Sequence, residues 1–305
     1  MTAEVQLKPG RNRLEVVASN GKATSSATGI TVTLKRTPTR TPKPDVGDVY
    51  VLAVGVSEYL NREGGLLNIA SADADARQFV SQLKRHANGR LYGDVNERLL
   101  DGKSATRTNV LDGFQWLVDN VKTGDTVMIF FSGHAFVDTQ ENFYLATRDA
   151  DISRARATAV SWRQLIDMLH EDLPACRRLL FLDARPTEGG LKPGMRNPLL
   201  DLAAPELGMT FFASNTLQQA IAPEMGSRQG TFVRAITTTL GDRRSDLVPN
   251  PRDQLLNSLE LGTGIRKRVQ EASAGRQMPT YFATAARRAD NLFELFSDAT
   301  VDQAQ

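Results

Sequence analysis

The chain has 305 residues, of which 41% are hydrophobic and 24% are charged, so it is long enough for one large domain or two modest ones with a sizeable core. Its 37 basic and 35 acidic residues leave a net charge of +2, which excludes the strongly basic surface typical of proteins that bind nucleic acids or anionic membranes. We see no apolar run near the ~20 residues that span a bilayer and no N-terminal signal peptide, so a cytoplasmic protein is expected. A single cysteine, Cys176, excludes an intrachain disulfide and a multi-cysteine zinc site.

The first 36 residues have the pattern of a β hairpin. Residues 13–19 alternate as a strand, Asn20-Gly21 is a strong hairpin signal, and residues 29–35 form the return strand. Two strands alone are only marginally stable in water, so we expect the hairpin to dock on another domain or to be the end of a larger sandwich whose earlier strands are missing. A Pro- and Thr-rich linker at 37–47 follows, which should be extended and fairly stiff.

Residues 48–290 alternate between apolar strand-like runs and segments with helical periodicity, and 291–305 form a C-terminal tail. Repeated strand–helix alternation predicts a mostly parallel sheet with helices on both faces, an α/β fold. Thr106 or Thr108 could cap the second helix, and Ser161 with Gln164 forms a capping box for the third. The predicted strands are 49–56, 98–100, 126–131, 178–182, 209–213 and 280–283, and the predicted helices lie around 76–83, 109–120, 162–170, 231–240 and 265–272.

Two short polar segments follow the strongest strands. Ser132-Gly133-His134-Ala135 comes after residues 126–131, and a segment that begins at Asp183 comes after residues 178–182. In an open parallel sheet, functional side chains gather beyond the carboxyl ends of the strands. We therefore predict that two loops bring His134 and Asp183 to one edge of the sheet.

From about residue 49 to residue 285 the chain resembles the caspase, metacaspase and orthocaspase superfamily of C14-type peptidases, especially its bacterial members. This resemblance implies a caspase-like α/β/α sandwich with a mostly parallel six-stranded sheet, and an immunoglobulin-like origin for the hairpin. Its specificity comes from the joint order of many short motifs. They are, along the chain, VLAVGVSEY at 51–59, ADARQF at 74–79, Leu99-Leu100 with Ala105-Thr106-Arg107, FFSGHA at 130–135, Tyr144-Leu145 with Asp149, FLDA at 181–184, Phe212-Ala213-Ser214 with Gln218, Gly230-Thr231-Phe232, and Gln277-Met278-Pro279-Thr280.

The resemblance also implies roles for individual residues. His134 matches the histidine of the family's His–Cys dyad, which protonates the leaving amine. The backbone N–H of Ala135, where the family usually has glycine, matches an oxyanion-hole donor. Asp75 and Asp183, with Ser132 beside them, match the acidic S1 pocket that holds a substrate arginine or lysine in metacaspase-like members. The expected partner is therefore a protein or peptide, with a basic residue at the cleavage position.

The sequence departs from the family at the nucleophile. Arg185 stands where the family has cysteine, and one extra residue precedes Gly189-Gly190. A guanidinium stays protonated and is no nucleophile. Cys176 cannot substitute, because it precedes Asp183 by a strand length of roughly 20 Å. The chain is thus predicted to be a catalytically inactive pseudo-protease that acts in protein binding or regulation.

Two other functions stay open at this stage. The first is a cysteine-type endopeptidase with Arg or Lys specificity whose nucleophile has been replaced. The second is an interaction scaffold that binds a partner or associates with itself through a sheet edge. No cofactor is expected, although metacaspase-like enzymes often need calcium, for which Asp149 and Asp151 are weak candidates.

Overall fold

The computed structural model describes residues 5, 10–34, 46–86, 91–187, 209–214, 229–241, 255–284, 287–288 and 290–294. The chain divides into two compact units, Met1–Lys43 and Pro44–Gln305. Most of the predicted linker at 37–47, and residues 295–305 of the predicted tail, lie outside the described residues. Residues 291–294, predicted as the start of the tail, instead form a strand whose Leu292 and Phe293 are buried. None of the described helices is long and apolar enough to cross a membrane.

The first unit contains an antiparallel pair of strands, β1 (Gly10–Val16) and β2 (Thr28–Leu34). Asn20 makes the predicted turn, since its side-chain oxygen accepts hydrogen bonds from the backbone N–H of Lys22 at 3.0 Å and of Ala23 at 2.9 Å. The regular ladder ends well before this turn, however, because Val16 pairs with Thr28 as the last step. The strands are therefore joined by a longer connection than a two-residue hairpin.

The second unit is an α/β/α sandwich around a mostly parallel sheet, as predicted. Its main path has the strand order β11-β9-β8-β5-β3-β4, in which only β11 is antiparallel to its neighbour, and the short strands β6 and β7 extend the sheet from β5. The strands are β3 (Val49–Gly55), β4 (Val95–Leu100), β5 (Thr126–Val137), β6 (Phe143–Leu145), β7 (Val160–Ser161), β8 (Arg177–Pro186), β9 (Met209–Ala213), β10 (Leu255–Asn257), β11 (Thr280–Phe282) and β12 (Asn291–Glu294).

Helices cover both faces of this sheet. They are α1 (Ala72–His86), α2 (Arg107–Asn120), α3 (Ala155–Thr158), α4 (Trp162–Asp167), α5 (Thr231–Gly241) and α6 (Ser258–Ala272). The continuous apolar runs of the central strands supply both cores, because alternate side chains point to opposite faces. On β8, for example, Phe181 belongs to the core beneath α1, α5 and α6, whereas its neighbour Leu180 points to the other face and belongs to the core beneath α2 and α4.

Several element ends differ from the sequence prediction. Strands β5 and β8 run on through Val137 and Pro186, so the two predicted loops are instead continuations of the sheet. Helix α4 ends at Asp167 and continues as a π-helical turn to Asp172. Helix α6 begins at Ser258 because the side chain of Asn257 and that of Glu260 form a reciprocal capping box. These differences follow from hydrogen bonds that the hydrophobic pattern does not report.

Candidate functional site

Strands β5 and β8 place four polar residues side by side beyond the apolar core. His134 lies opposite Arg185, and Ser132 lies opposite Asp183, in the parallel register of the two strands. Ser132 and His134 lie two and four residues after Phe130, and Asp183 and Arg185 lie two and four residues after Phe181. Phe130 and Phe181 both pack with helix α1. Because alternate residues share one face of a strand, all four side chains project toward the α1 side of the sheet. The predicted meeting of the two segments at one edge is therefore present, although inside strands and not in loops.

His134 is held at three atoms. Its backbone N–H donates to the hydroxyl of Tyr59 at 2.8 Å, and the two rings lie 5.3 Å apart between centroids. Its Nδ1 is 3.1 Å from the carbonyl oxygen of Arg185, and its Nε2 is 2.9 Å from that of Leu67. A neutral imidazole has only one N–H, so only the protonated ring can donate to both carbonyls. Burial opposes this charge and lowers the pKa of His134, while the two carbonyls act in the other direction.

Asp75 and Asp183 form a buried acidic pair. Asp75 lies in the first turn of α1, and its Oδ1 accepts a hydrogen bond from the N–H of Gly230 at 2.8 Å. A Cβ atom at Gly230 would stand 2.6 Å from Oδ2 of Asp75 and 3.3 Å from Oδ2 of Asp183. Both carboxylates therefore converge on one glycine, and a side chain at this position would require Asp75 to move. We call these three residues the acidic pocket.

The acidic pocket is poorly suited to two negative charges. Asp75 is 0% exposed, and its Oδ2 has no hydrogen-bond partner in the described part of the chain. Burial raises the pKa of Asp75 to about 7, the N–H of Gly230 opposes that rise, and the charge of Asp183 adds to it. Burial also raises the pKa of Asp183, against the nearby positive charge of Arg185. An added cation would remove much of this electrostatic cost.

The single thiol lies far from His134. Cys176 immediately precedes β8, whose first residue Arg177 pairs with Thr126 at the start of β5. Arg185 lies nine residues further along the chain, which corresponds to roughly 30 Å of extended strand. Cys176 is buried within the α2 side of the core, and this burial raises the pKa of its thiol. Both its location and its protonation state make it unsuited to act as the nucleophile.

Ala135 and Ser132 lie within the same ladder. Ala135 is buried and pairs with Leu145 of β6 and Pro186 of β8, and its carbonyl accepts a hydrogen bond from the N–H of Thr187 at 3.1 Å. Ser132 is also buried, and its carbonyl accepts a hydrogen bond from the N–H of Val56 at 2.9 Å. The Ala135 N–H as an oxyanion-hole donor stays a prediction.

The two calcium candidates make local hydrogen bonds. Oδ1 of Asp149 accepts from the N–H of Arg107 and from the hydroxyl of Thr147, both at 2.8 Å. Asp151 accepts from the N–H of Ser153 at 2.9 Å and from its hydroxyl at 2.6 Å. Among the described residues, no group of three or more His, Cys, Asp or Glu side chains converges as a metal site would require. The calcium prediction gains no support from this part of the chain.

Sequence reasoning assigned no role to three residues that shape the site. Tyr59 and Leu67 hold the two sides of His134, and Gly230 forms a wall of the acidic pocket. Tyr59 lies in the segment directly after β3, the neighbour of β5, so its position beyond a strand end was an available signal. Leu67 acts through its backbone carbonyl, which leaves no signature in a side-chain pattern.

Comparisons with known proteins agree with the fold. The family model described as the caspase domain of C14 peptidases matches residues 49–289. Protein GSU0716 from Geobacter sulfurreducens is similar in structure, with a TM-score of 0.54, 14% identity, and coverage of 82% of this chain and 100% of that one. Caspase-1 from Spodoptera frugiperda has a TM-score of 0.49 and 11% identity, with coverage of 79% and 90% respectively. No curated protein matches the chain.

Proposed function

Because this chain belongs to the caspase-domain family of C14 peptidases, we propose that it is a catalytically inactive member that binds proteins or peptides through their basic residues. Caspase-like peptidases act on protein substrates, so a protein or peptide partner is consistent with the family. The finer claims, inactivity and preference for a basic residue, rest on the site itself.

One observation carries the claim of inactivity: Arg185 lies directly opposite His134 in the β5–β8 register. A nucleophile of the family's His–Cys dyad has to be within reach of the histidine. The side chain at this position is a permanently protonated guanidinium, which has no nucleophilic lone pair. Backbone carbonyl oxygens, moreover, lie within hydrogen-bond distance of both ring nitrogens of His134. The one cysteine of the chain, Cys176, lies at the other end of β8 and supplies no thiol beside His134.

The acidic pocket supports the preference for a basic residue. Asp75 and Asp183 are both buried, and their Oδ2 atoms converge on Gly230. An arginine or lysine side chain brought by a peptide would add charge-assisted hydrogen bonds to these oxygens. Binding would thus compensate a cost that is already present in the free protein.

Two assays test the proposal together. The protein is incubated with fluorogenic peptides that end in arginine or lysine, with and without calcium, and its affinity for the same peptides is measured by fluorescence anisotropy. We expect no turnover, and binding that weakens at least about tenfold in D75N and D183N, since each loses one charge-assisted contact. Turnover that disappears in H134A would contradict inactivity, and equal affinity for an arginine peptide and its citrulline analogue would contradict the preference.

An endopeptidase whose nucleophile has been replaced is the second candidate. It is favoured by the same register, because a cysteine at position 185 would lie opposite His134. The test is R185C, with R185C combined with H134A as its matched control. Hydrolysis of arginine peptides by R185C alone would favour this candidate. If R185C hydrolyses no arginine peptide, with or without calcium, the binding function is the better explanation.

A further inference from the structure

Besides lacking a nucleophilic atom, Arg185 places a positive charge on the same side of the sheet as the acidic pocket. It follows Asp183 by two residues on β8, so the two side chains lie on one face of the strand, about 7 Å apart at their Cα atoms. Its carbonyl contacts Nδ1 of His134 at 3.1 Å, which fixes the backbone at this point. The long side chain therefore starts from a fixed position on the α1 side of the sheet, where Asp75 also lies.

The acidic pocket supplies negative charge on the face of the sheet from which this side chain starts. Asp75 and Asp183 are buried, and Oδ2 of Asp75 accepts no hydrogen bond from the described residues. A buried carboxylate without a partner is costly, and a guanidinium is charged at every accessible pH. The half-buried Arg185 is close enough for its charge to lower the pKa of both carboxyl groups.

The pairing is nonetheless incomplete. Within the described part of the chain, no ion pair of 4 Å or less joins Arg185 to Asp75 or Asp183. The charge of the guanidinium therefore acts on the two carboxyl groups without a direct ion pair, and Oδ2 of Asp75 keeps no hydrogen-bond partner in the described part of the chain. A ligand cation that enters the pocket meets repulsion from Arg185 and competes with it for the same two carboxylates.

We propose that Arg185 is a built-in competitor for the acidic pocket, which weakens the binding of arginine- and lysine-containing peptides by supplying their charge from within the chain. This inference rests on the proposed function, because it concerns the same pocket and the same ligands. It gives the residue at the nucleophile position a specific role: it sets the affinity of the site. Only ligands with contacts beyond the basic side chain would then bind tightly.

The test is R185Q in the full chain, which removes the charge and keeps most of the length of the side chain. The probe is a fluorescein-labelled peptide with one arginine, and its dissociation constant is measured by anisotropy at low and high salt. We expect R185Q to bind about tenfold more tightly than the parent protein at low salt, with a smaller gain at high salt, because a like charge near the pocket is gone. The matched control is R163Q, which removes an exposed arginine paired with Asp167 and should leave the affinity unchanged.

Each outcome is decisive for one of the two proposals. If the parent protein prefers the arginine peptide over its citrulline analogue and loses this preference in D75N, but R185Q does not tighten binding, the inference about Arg185 is wrong and the proposed function stands. If neither protein distinguishes the two peptides, both are wrong. If R185Q folds poorly, R185A replaces it. A second measurement is the pKa of Asp75, followed by carboxyl NMR, which should rise in either variant because a nearby positive charge is removed. An unchanged pKa would overturn the inference.

Discussion

The burial of Asp75 makes the stability of the folded protein depend on pH. Its carboxyl group has a pKa of about 7 in the folded protein, compared with 3.8 as its ordinary value, mainly because it is buried. An acid whose pKa is raised by folding destabilises the folded state when it ionises. The penalty is absent below about pH 4, grows as the pH rises toward 7, and is constant above that.

We therefore expect D75N to be stabilising at neutral pH. Asparagine keeps the oxygen that accepts from the N–H of Gly230 and removes the buried charge. The free energy of unfolding of D75N, relative to the parent protein, should rise between pH 4 and pH 7 by at most about 4 kcal/mol. Urea denaturation at a series of pH values measures this difference. The control is D167N, at a half-buried aspartate that pairs with exposed Arg163. An equal pH profile for D75N and the parent protein would contradict the prediction.

Gly230 is expected to be coupled energetically to Asp75. In G230A the new methyl group would stand 2.6 Å from Oδ2 of Asp75, so the variant should lose about 1–3 kcal/mol of stability. The cost should shrink when Asp75 is itself alanine, because the opposing oxygen is then absent. A double-mutant cycle of D75A and G230A, measured by urea denaturation, gives the coupling energy. Additive losses would show that Gly230 is restricted by something other than this carboxylate.

Residue roles differed in how far the sequence could predict them. His134 and Asp183 have polar side chains directly after strong strands, which pointed to a site, and the family resemblance added Asp75. Tyr59 and Gly230 lie within the family motifs but received no role, because their contacts with His134 and Asp75 join residues 75 and 155 positions apart. The contact of Gly230 with Asp75 depends on the packing of α1 beside α5, and the contact of Tyr59 with His134 depends on the pairing of β3 with β5. Local sequence patterns contain neither.

At the scale of elements, the start of α2 offers a matched test. The sequence allowed either Thr106 or Thr108 to cap this helix, and in the structure the hydroxyl of Thr106 accepts from the N–H of Asn109 at 3.4 Å. T106A should therefore lose about 1 kcal/mol, whereas T108A, at an exposed position inside the helix, should change stability by less than about 0.5 kcal/mol. Thermal unfolding monitored by circular dichroism measures both. A larger effect in T108A would mean that the helix begins elsewhere.

Long apolar strands were predictable and short or polar ones were not. Strand β9 has the predicted bounds, Met209–Ala213, because four apolar residues and Thr210 are buried together. Residues 132–135 of β5 have the small and polar composition of a loop, yet they pair with β8 as far as Ala135 and Pro186. Strands β10 and β12 pair with each other from distant parts of the chain. Tertiary hydrogen bonding decides these cases, and residue propensity does not.

At the scale of the whole molecule, the two units differ in what holds them together. Both apolar cores are built from residues between Val49 and Phe293. In the first unit, Val16, Val17 and Ile30 remain exposed, so its two strands bury little apolar surface. A two-stranded sheet of this kind is marginal in water, whereas the second unit has two buried layers around a sheet.

We expect the second unit to fold without the first. A chain of residues 44–305 should unfold cooperatively, with a melting temperature within about 3 °C of the full chain, because a loss of 1 kcal/mol shifts the melting temperature of a domain of this size by about 2–4 °C. Differential scanning calorimetry of both chains measures this, and a peptide of residues 1–43 should show no cooperative transition. A fall of more than about 5 °C would mean that residues 1–43 stabilise the caspase domain directly. The same truncated chain should retain the binding preference for arginine peptides, since His134, Arg185 and the acidic pocket all lie within it.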